Sequence, residues 1–406
     1  MKKGGGMRVV VIGAGPGGLT LAHGLRREGV DVAVYERDGE RGRPQGVSLH
    51  FDERGSAALR ACLPPGHAAA VEATAGGPRE RTLSLSEVDG ELEVVGVERL
   101  DGAAGRVRPG RQVHRPLLRA VLLTGLEDVV RFGAEFTRFE LLPGGGVRVW
   151  FADGRVDTAD VLVGADGIGS AVRRRYLPHV RVVDTGKRMV MGASPLRAVA
   201  GGGLPGLVGH SPAAAHVRGT TMVMGVLRFG LPPVVAREEH LPALDFRAVA
   251  DVEDYVMWAL PVSADRLGPV GSPAAVWRRA RELVVDLPPA LRSLVDEAWP
   301  DLAVALRIGI IPPVPVWPAS PVTLIGDAIH AAPGFGGNLA MRDAHRLRDE
   351  LVRAARGEQD PTVAIGAYED ATRRDSTVPD AASRAAPTVP DREPILDVAG
   401  AAEAGA

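Results

Sequence analysis

The sequence predicts an α/β fold in which a parallel sheet with flanking helices is combined with an inserted, mainly antiparallel sheet and a C-terminal helix. Two observations support this prediction. Residues 8–35 contain an apolar run, a glycine-rich turn, a helical stretch and a second apolar run, as a parallel βαβ unit does. Residues 189–304 instead contain short strand-like segments between proline- and glycine-rich turns, which is typical of antiparallel strands.

Each element of the parallel sheet follows from its residues. Residues 8–12 are almost all β-branched, as expected for a strand buried on both faces, and the helix over 19–27 ends at Gly29. An Asp-Gly pair predicts a hairpin over 147–158. The other predicted elements, in chain order, are strands at 30–35, 81–85 and 92–95, a helix at 116–123, strands at 161–163, 189–191, 221–229, 255–262 and 322–325, and helices at 340–355 and 363–374.

The composition is that of an ordinary globular protein, and it excludes several classes of function. The 406 residues carry 48 basic and 50 acidic side chains, a net charge of −2, so no basic surface for nucleic acid is expected. The one cysteine, Cys62, cannot form an internal disulfide or a thiolate metal site, and we expect a reducing, cytoplasmic setting. No apolar segment approaches the ~20 residues that span a bilayer. We therefore expect no nucleic-acid partner, no membrane partner and no metal.

A glycine motif follows the first predicted strand. Gly13, Gly15 and Gly18 have the G-x-G-x-x-G spacing, which permits a tight turn, close approach of a pyrophosphate and close helix packing. The amides of the helix start then face the phosphates. Glu36, at the end of the second strand, is placed to accept both hydroxyls of a ribose. These residues predict a dinucleotide site and leave NAD and FAD open.

Three separated blocks carry a family resemblance. They are residues 13–37, residues 161–174 (VLVGADGIGSAVRR) and residues 324–343 (LIGDAIHAAPGFGGNLAMRD). Together they resemble the FAD-dependent aromatic hydroxylases, the para-hydroxybenzoate hydroxylase-like flavoprotein monooxygenases. Within that family the chain looks most similar to the tetracycline-modifying and polyketide-tailoring enzymes. The resemblance implies a Rossmann-like FAD-binding domain and an inserted substrate domain.

The resemblance also implies roles for matching residues. Glu36 would hold the adenosine ribose, Arg115 the ribityl and phosphate region, and Asp327 a ribityl hydroxyl. Asp166 would belong to the D-G motif associated with FAD and NAD(P)H, although a turn or helix cap is the alternative for both aspartates. The full set implied to bind FAD is Gly13, Gly15, Pro16, Gly17, Gly18, Glu36, Arg37, Gly46, Arg111, Arg115, Asp166, Gly167, Gly326, Asp327, Pro333, Gly336, Gly337 and Asn338.

One segment departs from the family pattern. The glycine-rich loop that begins at Pro333 reaches Asn338 about three residues early, which at ~1.5 Å per helical residue shifts the following helix start. Amides at that start would stabilise negative charge on the reduced flavin. Two outcomes are open: the loop re-forms from its glycines and activity is kept, or redox cycling is impaired.

Substrate contacts are harder to assign from sequence. Met222, Met224 and Phe335 are the candidates, because alternate strand positions share one face and Phe335 lies in the flavin loop. For the two methionines ordinary core packing is the alternative. No protein side chain is assigned as catalytic, because the family's chemistry is carried by the flavin.

The resemblance predicts the domain division and the activity. The FAD-binding domain takes residues 1–60, 105–178 and 305–350, and the substrate domain takes 61–104 and 179–304. A C-terminal helical segment (351–378) and a loosely held tail (379–406) follow. The implied enzyme uses FAD and NADPH or NADH to hydroxylate an aromatic or polyketide-like molecule through a flavin C4a-hydroperoxide.

Two alternative functions and the assembly complete the expectations. One alternative is a non-redox cyclisation or isomerisation on the same fold, motivated by the short loop between Pro333 and Asn338. The other is a non-catalytic flavin-binding protein. A monomer or weak homodimer is expected.

Overall fold

The computed structural model describes residues 6–43, 45–100, 109–205, 211–331 and 336–376. Within them the chain forms a five-stranded parallel sheet, a seven-stranded sheet, a three-stranded antiparallel sheet and a two-stranded ribbon. The α/β fold with an inserted, mainly antiparallel sheet is thereby confirmed.

The strands and helices have the following bounds. The strands are β1 (Arg8–Ile12), β2 (Asp31–Tyr35), β3 (Ser48–Asp52), β4 (Arg81–Val88), β5 (Glu91–Arg99), β6 (Gly110–His114), β7 (Val130–Arg131), β8 (Phe136–Leu141), β9 (Val147–Phe151), β10 (Val156–Ala159), β11 (Val161–Gly164), β12 (Val183–Pro195), β13 (Ala213–Val217), β14 (Thr220–Leu227), β15 (Tyr255–Ser263), β16 (Val304–Ile310) and β17 (Val322–Leu324). The helices are α1 (Pro16–Arg27), α2 (Glu53–Cys62), α3 (Pro65–Thr74), α4 (Arg115–Leu123), α5 (Ala171–Tyr176), α6 (Leu196–Val199), α7 (Pro233–His240), α8 (Ala264–Leu267), α9 (Pro273–Leu283), α10 (Pro289–Asp296), α11 (Gly336–Ala355) and α12 (Pro361–Ser376). Among the residues with described coordinates, no helix combines the length and apolar character that crossing a membrane requires.

The parallel sheet has the order β17-β11-β1-β2-β7, and every adjacent pair is parallel. Val9 and Val11 pack into the core on one face, while Val10 and Ile12 pack into the core on the other. The predicted burial of this strand on both faces is therefore confirmed. Helix α1 begins at Pro16, earlier than predicted, because Gly15 is extended and proline suits the first helical position.

The seven-stranded sheet has the order β16-β12-β15-β14-β13-β4-β5, in which only β13 and β4 pair in parallel. One face is covered by α9 and α10, whose Val276, Leu291 and Leu294 share a core with Trp258. On the opposite face, Tyr255 packs in a smaller cluster with Val47, which lies just before β3. This second face is the one turned toward the parallel-sheet half of the molecule.

The domain boundaries proposed from sequence stay a prediction, but the elements around them are now located. The boundary after residue 60 falls inside α2, and α2 and α3 contribute Leu59 and Val71 to the core of the parallel sheet. Strand β16 belongs to the seven-stranded sheet, although residues from 305 onward were assigned to the other domain. Helix α12 packs on the parallel-sheet half, where the Tyr368 hydroxyl donates to the Leu324 carbonyl at 3.0 Å. Residues 379–406 lie outside the described residues.

Candidate functional site

The glycine motif forms the turn between β1 and α1. Gly13 has φ +110°, and its N–H donates to the Tyr35 carbonyl at 2.8 Å. A Cβ on Gly13 would lie 2.5 Å from the Ala165 carbonyl oxygen, so the turn is pressed against the end of β11. Gly15, by contrast, has open space where a side chain would stand. The turn therefore exposes backbone to an approaching phosphate, as the motif predicts.

The carboxylate of Glu36 is fixed at this turn by backbone amides. One oxygen accepts the Ala14 N–H at 2.7 Å and the other accepts the Asp38 N–H at 2.9 Å. Each oxygen keeps acceptor capacity for a further donor. The neighbouring Arg37 is half exposed, and its Nε lies 3.6 Å from the Asp38 carboxylate. Glu36 is thus oriented for ribose hydroxyls, whereas Arg37 lies at the surface.

Asp166 follows β11 and caps α5. Its Oδ2 accepts the N–H groups of Ala171 at 2.7 Å and Val172 at 3.2 Å, and Gly167 after it has φ +72°. The Oδ1 atom is buried and has no hydrogen-bond partner among the described residues. Burial raises the pKa of Asp166, although Ser170 and these amide hydrogen bonds oppose the shift. The helix cap anticipated as an alternative is present, and one carboxylate oxygen remains for a ligand.

Asp327 follows β17 and lies beneath the first turn of α11. Its Oδ1 is buried without a partner in the described part of the chain. A Cβ on Gly336 would overlap this carboxylate, with Oδ2 only 2.7 Å away. Burial raises the pKa of Asp327, while the positive charges of His330 and Arg115 oppose the rise. An unpartnered buried carboxylate is costly, and sugar hydroxyls from a ligand would satisfy it.

A second aspartate of the same block, Asp343, is fully buried and was missed from the sequence. Its Oδ2 accepts the Gly326 N–H at 2.9 Å and lies 2.6 Å from His330 Nε2, while Oδ1 accepts from Arg342 at 3.1 Å. Burial works to raise the pKa of Asp343, but His330 and Arg342 outweigh it and hold that pKa below its usual range. His330 is therefore a partner of this carboxylate. The signal was local: an aspartate lies about two turns into the helix that follows the G-D motif.

Asn338 joins the start of α11 to β3. Its amide Nδ2 donates to the His50 carbonyl at 2.7 Å, and its Oδ1 accepts the Asp52 N–H at 3.0 Å. A Cβ on Gly337 would meet Leu49 of the same strand at 2.9 Å. The side chain predicted to face the cofactor is thus committed to backbone groups of the protein. Pro333 and Phe335, also predicted at this site, lie outside the described residues.

The remaining predicted residues divide into two places. Arg115 donates to the Gln45 carbonyl at 2.9 Å, and its pKa is lowered by burial while the charge of Asp327 opposes the shift. Gly46, with φ +87°, abuts the side chain of Met191 in the seven-stranded sheet. Arg111, in contrast, forms an ion pair with Glu72 of α3 at 3.4 Å. Arg115 and Gly46 therefore border the junction of the two halves, whereas Arg111 points to a surface pair.

Met222 and Met224 lie away from that junction. Both side chains are fully buried in the core beneath α9 and α10. They alternate along β14 with Val223 and Gly225, which occupy the opposite face. The placement matches the core alternative, and we do not propose the two methionines as substrate contacts.

Residues of the three blocks contact one another, and Ala340 of α11 joins the first block to the third. Ala340 lies 3.0 Å from the point that a Cβ of Gly17 would occupy and 2.6 Å from the corresponding point at Gly326. Gly17 opens α1, Gly326 precedes Asp327, and Gly13 contacts the carbonyl before Asp166. The fold and the site therefore define a dinucleotide-binding protein with a second sheet domain facing the nucleotide half.

Comparisons with known proteins show which proteins the chain resembles. Two family models match: pyridine nucleotide-disulphide oxidoreductase over residues 7–102 and FAD binding domain over residues 316–378. The dual O-methyltransferase/FAD-dependent monooxygenase elcB of Phaeosphaeria nodorum is 31% identical in an alignment of 396 residues that covers 88% of this chain and 42% of that protein. The chain therefore spans less than half the length of this relative.

Solved structures agree with the sequence matches. A Photorhabdus luminescens protein, provisionally described as an FAD containing monooxygenase, has a TM-score of 0.74 and 29% identity, covering 91% of this chain and 94% of its own. Klebsiella pneumoniae HpxO, solved with FAD and uric acid, has a TM-score of 0.67 and 25% identity, covering 89% and 83% of the two chains. The chain is thus similar over most of its length to FAD-dependent monooxygenases, and it shares their FAD-binding fold.

The described residues fit FAD. The space beside Gly15 admits a pyrophosphate, the oxygens of Glu36 face outward from two amides, and Asp327 keeps a buried oxygen without a partner. These are the three contacts that a nucleotide ribose, its phosphates and a ribityl chain require.

Proposed function

We propose that the chain is an FAD- and NAD(P)H-dependent monooxygenase that hydroxylates an aromatic or polyketide-like small molecule. The observation that supports this most strongly is the packing of Ala340 between Gly17 of the glycine turn and Gly326 beside Asp327, because it brings two distant segments with complementary groups for one dinucleotide together. When bound, FAD would accept reducing equivalents from NAD(P)H and activate oxygen for transfer to the substrate.

The protein's own groups would bind and orient. Backbone amides at the start of α1 would hold the phosphates, and Glu36 would accept the ribose hydroxyls. Asp327 would accept a ribityl hydroxyl, and the charge of Arg115 partly opposes the rise that burial causes in the pKa of this carboxyl group. Asp166, with one free oxygen beside Gly13, would border the same site. None of these groups needs to act as a nucleophile.

The substrate would lie against the face of the seven-stranded sheet that is opposite α9 and α10. Cross-strand pairing aligns Val223, Ala259 and Met191 in one row on that face. A second row places Gly225 beside Met257. Because Met191 approaches Gly46, this apolar face is turned toward the nucleotide half and would exclude water from the reacting atoms.

The test combines spectroscopy with turnover. Purified protein should carry flavin absorbance and should oxidise NAD(P)H with oxygen uptake only when a suitable aromatic or polyketide substrate is present. The product should contain one atom from isotopically labelled oxygen. Protein that is colourless and does not take up added FAD would contradict the proposal.

A second candidate is a non-redox cyclisation or isomerisation in the same cavity. It is favoured by the close packing of Gly336 over Asp327, which is the carboxylate that would receive the ribityl chain. This candidate predicts conversion of substrate that is unchanged when oxygen and NAD(P)H are removed. Loss of turnover under anaerobic conditions would eliminate it.

The cellular setting belongs to the proposal as well. Cys62 is buried and burial raises its pKa to about 12, which suits an inert thiol in a reducing cytoplasm. We expect a monomer or weak homodimer whose partners are FAD, NAD(P)H and a small molecule, in natural-product biosynthesis or antibiotic modification. Size-exclusion chromatography with light scattering tests the assembly.

A further inference from the structure

A buried guanidinium lies between the two halves of the molecule and has no counter-ion among the residues that the structure describes. Arg79 is 4% exposed, and its side chain makes one long contact, from a terminal nitrogen to the Val226 carbonyl at 3.4 Å. Its Nε has no partner among the described residues. No carboxylate of the described chain offsets its charge, and the nearby Tyr255 hydroxyl does not cancel the effect of burial on its pKa. Burial lowers the pKa of Arg79 to about 10, so it is still a cation at neutral pH.

A second unsatisfied group lies beside it. Gln112 of β6 is 1% exposed, and neither its Oε1 nor its Nε2 makes a well-formed hydrogen bond within the described chain, although the side chain lies near enough to Tyr255 to oppose the rise in the pKa of that hydroxyl. Both side chains approach Gly225 of β14: a Cβ there would lie 2.6 Å from a terminal nitrogen of Arg79 and 2.9 Å from Gln112 Oε1. The missing side chain of Gly225 thus makes room for a cation and an amide side by side.

This pair differs from a buried arginine that serves the fold. Arg173 is also buried, but it donates to the Ala328 carbonyl at 2.8 Å and the Ile168 carbonyl at 2.7 Å. Leaving a buried charge without such partners costs several kcal/mol in general. The unused donors of Arg79 and the unused amide of Gln112 indicate that a ligand completes the cluster.

The position of the cluster connects it to the proposed substrate cavity. Gly225 pairs with Met257 on the sheet face that is turned toward Gly46. Around the cluster, His114 Nδ1 lies 3.3 Å from the Tyr255 hydroxyl, which donates to the Val47 carbonyl at 3.0 Å. Burial lowers the pKa of His114 to about 4 and raises that of Tyr255, so both are neutral and neither balances Arg79.

We propose that Arg79 and Gln112 form a receptor for a planar oxyanion of the substrate, a carboxylate, phenolate or enolate with a hydroxyl beside it. The guanidinium presents paired N–H donors to the anion. Gln112 Nε2 adds a third donor, and its Oε1 accepts from the neighbouring hydroxyl. The inference rests on the proposed function, because it narrows the substrate class of that same cavity.

Calorimetric titration of the FAD-loaded protein tests the receptor with two isosteric probes, salicylate and neutral salicylamide. Salicylate should bind roughly 10- to 100-fold more tightly, which is the range expected for hydrogen bonds to a charged group. A phenolate probe, 4-nitrophenol above its pKa, separates the two sources of oxyanion. Binding of salicylate alone assigns a carboxylate, and binding of both assigns any delocalised oxyanion.

Two variants identify the responsible residues. Arg79→Met should lose salicylate binding by the same factor and should melt no lower than wild type without ligand, because it removes an unpaired buried charge. Gln112→Glu is nearly isosteric and supplies Arg79 with an internal carboxylate, so it should also lose salicylate binding. Arg197→Met, which removes a surface pair with Glu253, is the matched control and should bind salicylate like wild type.

Defined results overturn the receptor. The receptor is refuted if wild type binds salicylate and salicylamide equally, or if it binds neither salicylate nor the 4-nitrophenol anion. It is also refuted if Gln112→Glu binds the anions as tightly as wild type, and this result applies even if Arg79→Met does not fold. FAD-loaded protein that shows any of these results refutes the receptor and leaves the monooxygenase proposal standing. Protein that selects salicylate but never retains FAD refutes the monooxygenase proposal alone.

Discussion

Replacing Glu36 by glutamine tests the nucleotide site most directly. In the structure each carboxylate oxygen already accepts one backbone N–H, from Ala14 at 2.7 Å and from Asp38 at 2.9 Å. An amide offers only one oxygen, so one of these N–H groups would face an NH2 group instead. The ribose would also lose a charge-assisted acceptor for one of its hydroxyls.

The magnitude follows from these contacts. A hydrogen bond to a charged group contributes about 1.5–3 kcal/mol, and every 1.4 kcal/mol changes an affinity tenfold. Glu36→Gln should therefore weaken FAD binding by roughly 10- to 150-fold. Because the variant also leaves the N–H of Ala14 or Asp38 without an acceptor, we expect the loss of FAD affinity to lie near the upper end of that range.

The assay is titration of flavin-free protein with FAD, followed by quenching of flavin fluorescence. Asp31→Asn is the matched control, because Asp31 lies at the other end of β2 and its carboxylate, 56% exposed, pairs with Arg8. The control should bind FAD with unchanged affinity. If Glu36→Gln binds FAD as tightly as wild type, Glu36 does not contact the ribose and the placement of the nucleotide along β2 is refuted.

Three further predictions concern the same half of the molecule. Asp327→Asn should weaken FAD binding about tenfold. It should leave the melting temperature of the ligand-free protein unchanged or higher, because it removes a carboxylate whose pKa is raised by burial. Unchanged FAD affinity would count against the ribityl contact. Glu369 has a pKa raised by burial to about 7 from 4.5, so the folded chain keeps a proton that the unfolded chain releases. The protonated Glu369 contributes its full stability to the fold below pH 4.5, and this contribution is lost as the pH rises to about 7. In thermal melts Glu369→Gln should therefore become more stable relative to wild type across that pH window, by at most about 3 kcal/mol. A difference between variant and wild type that does not change with pH would contradict the reasoning. Gly18→Ala would place a Cβ against the Gly13 carbonyl and should destabilise the chain by about 1–3 kcal/mol in urea denaturation, whereas Gly29→Ala, with open space but φ +75°, should cost less.

Sequence patterns predicted the parallel sheet well because its signals are local. An unbroken β-branched run between polar residues defines β1, and the glycine spacing defines the turn that follows it. The short helices were missed in part because the alternating pattern of the neighbouring strands dominated the interpretation. A usable signal existed for α9, since Ser272 accepts the Ala275 N–H as its cap and Pro273 occupies the first helical position.

The tertiary contacts of the site could not be predicted in the same way. Asn338 binds β3 across 286 to 288 residues of chain, so nothing near it in the sequence indicates that its amide is already used. Arg79 and Gln112 are far from every recognisable motif and meet only because β6 crosses β14 at Gly225. Such contacts depend on how two sheets dock, and the hydrophobic pattern of each strand fixes only which face is buried.

The short loop before α11 can be reconsidered from the anchoring of that helix. Asn338 holds its first turn to β3, and Ala340 packs between Gly17 and Gly326. A slide of one residue would move these groups by ~1.5 Å, enough to break both amide hydrogen bonds and to overlap two glycine backbones. The helix therefore cannot absorb a change in loop length by shifting along its axis. The difference from the family pattern must fall on the residues before Gly336, next to Asp327, which is where a change in length would alter contact with the flavin.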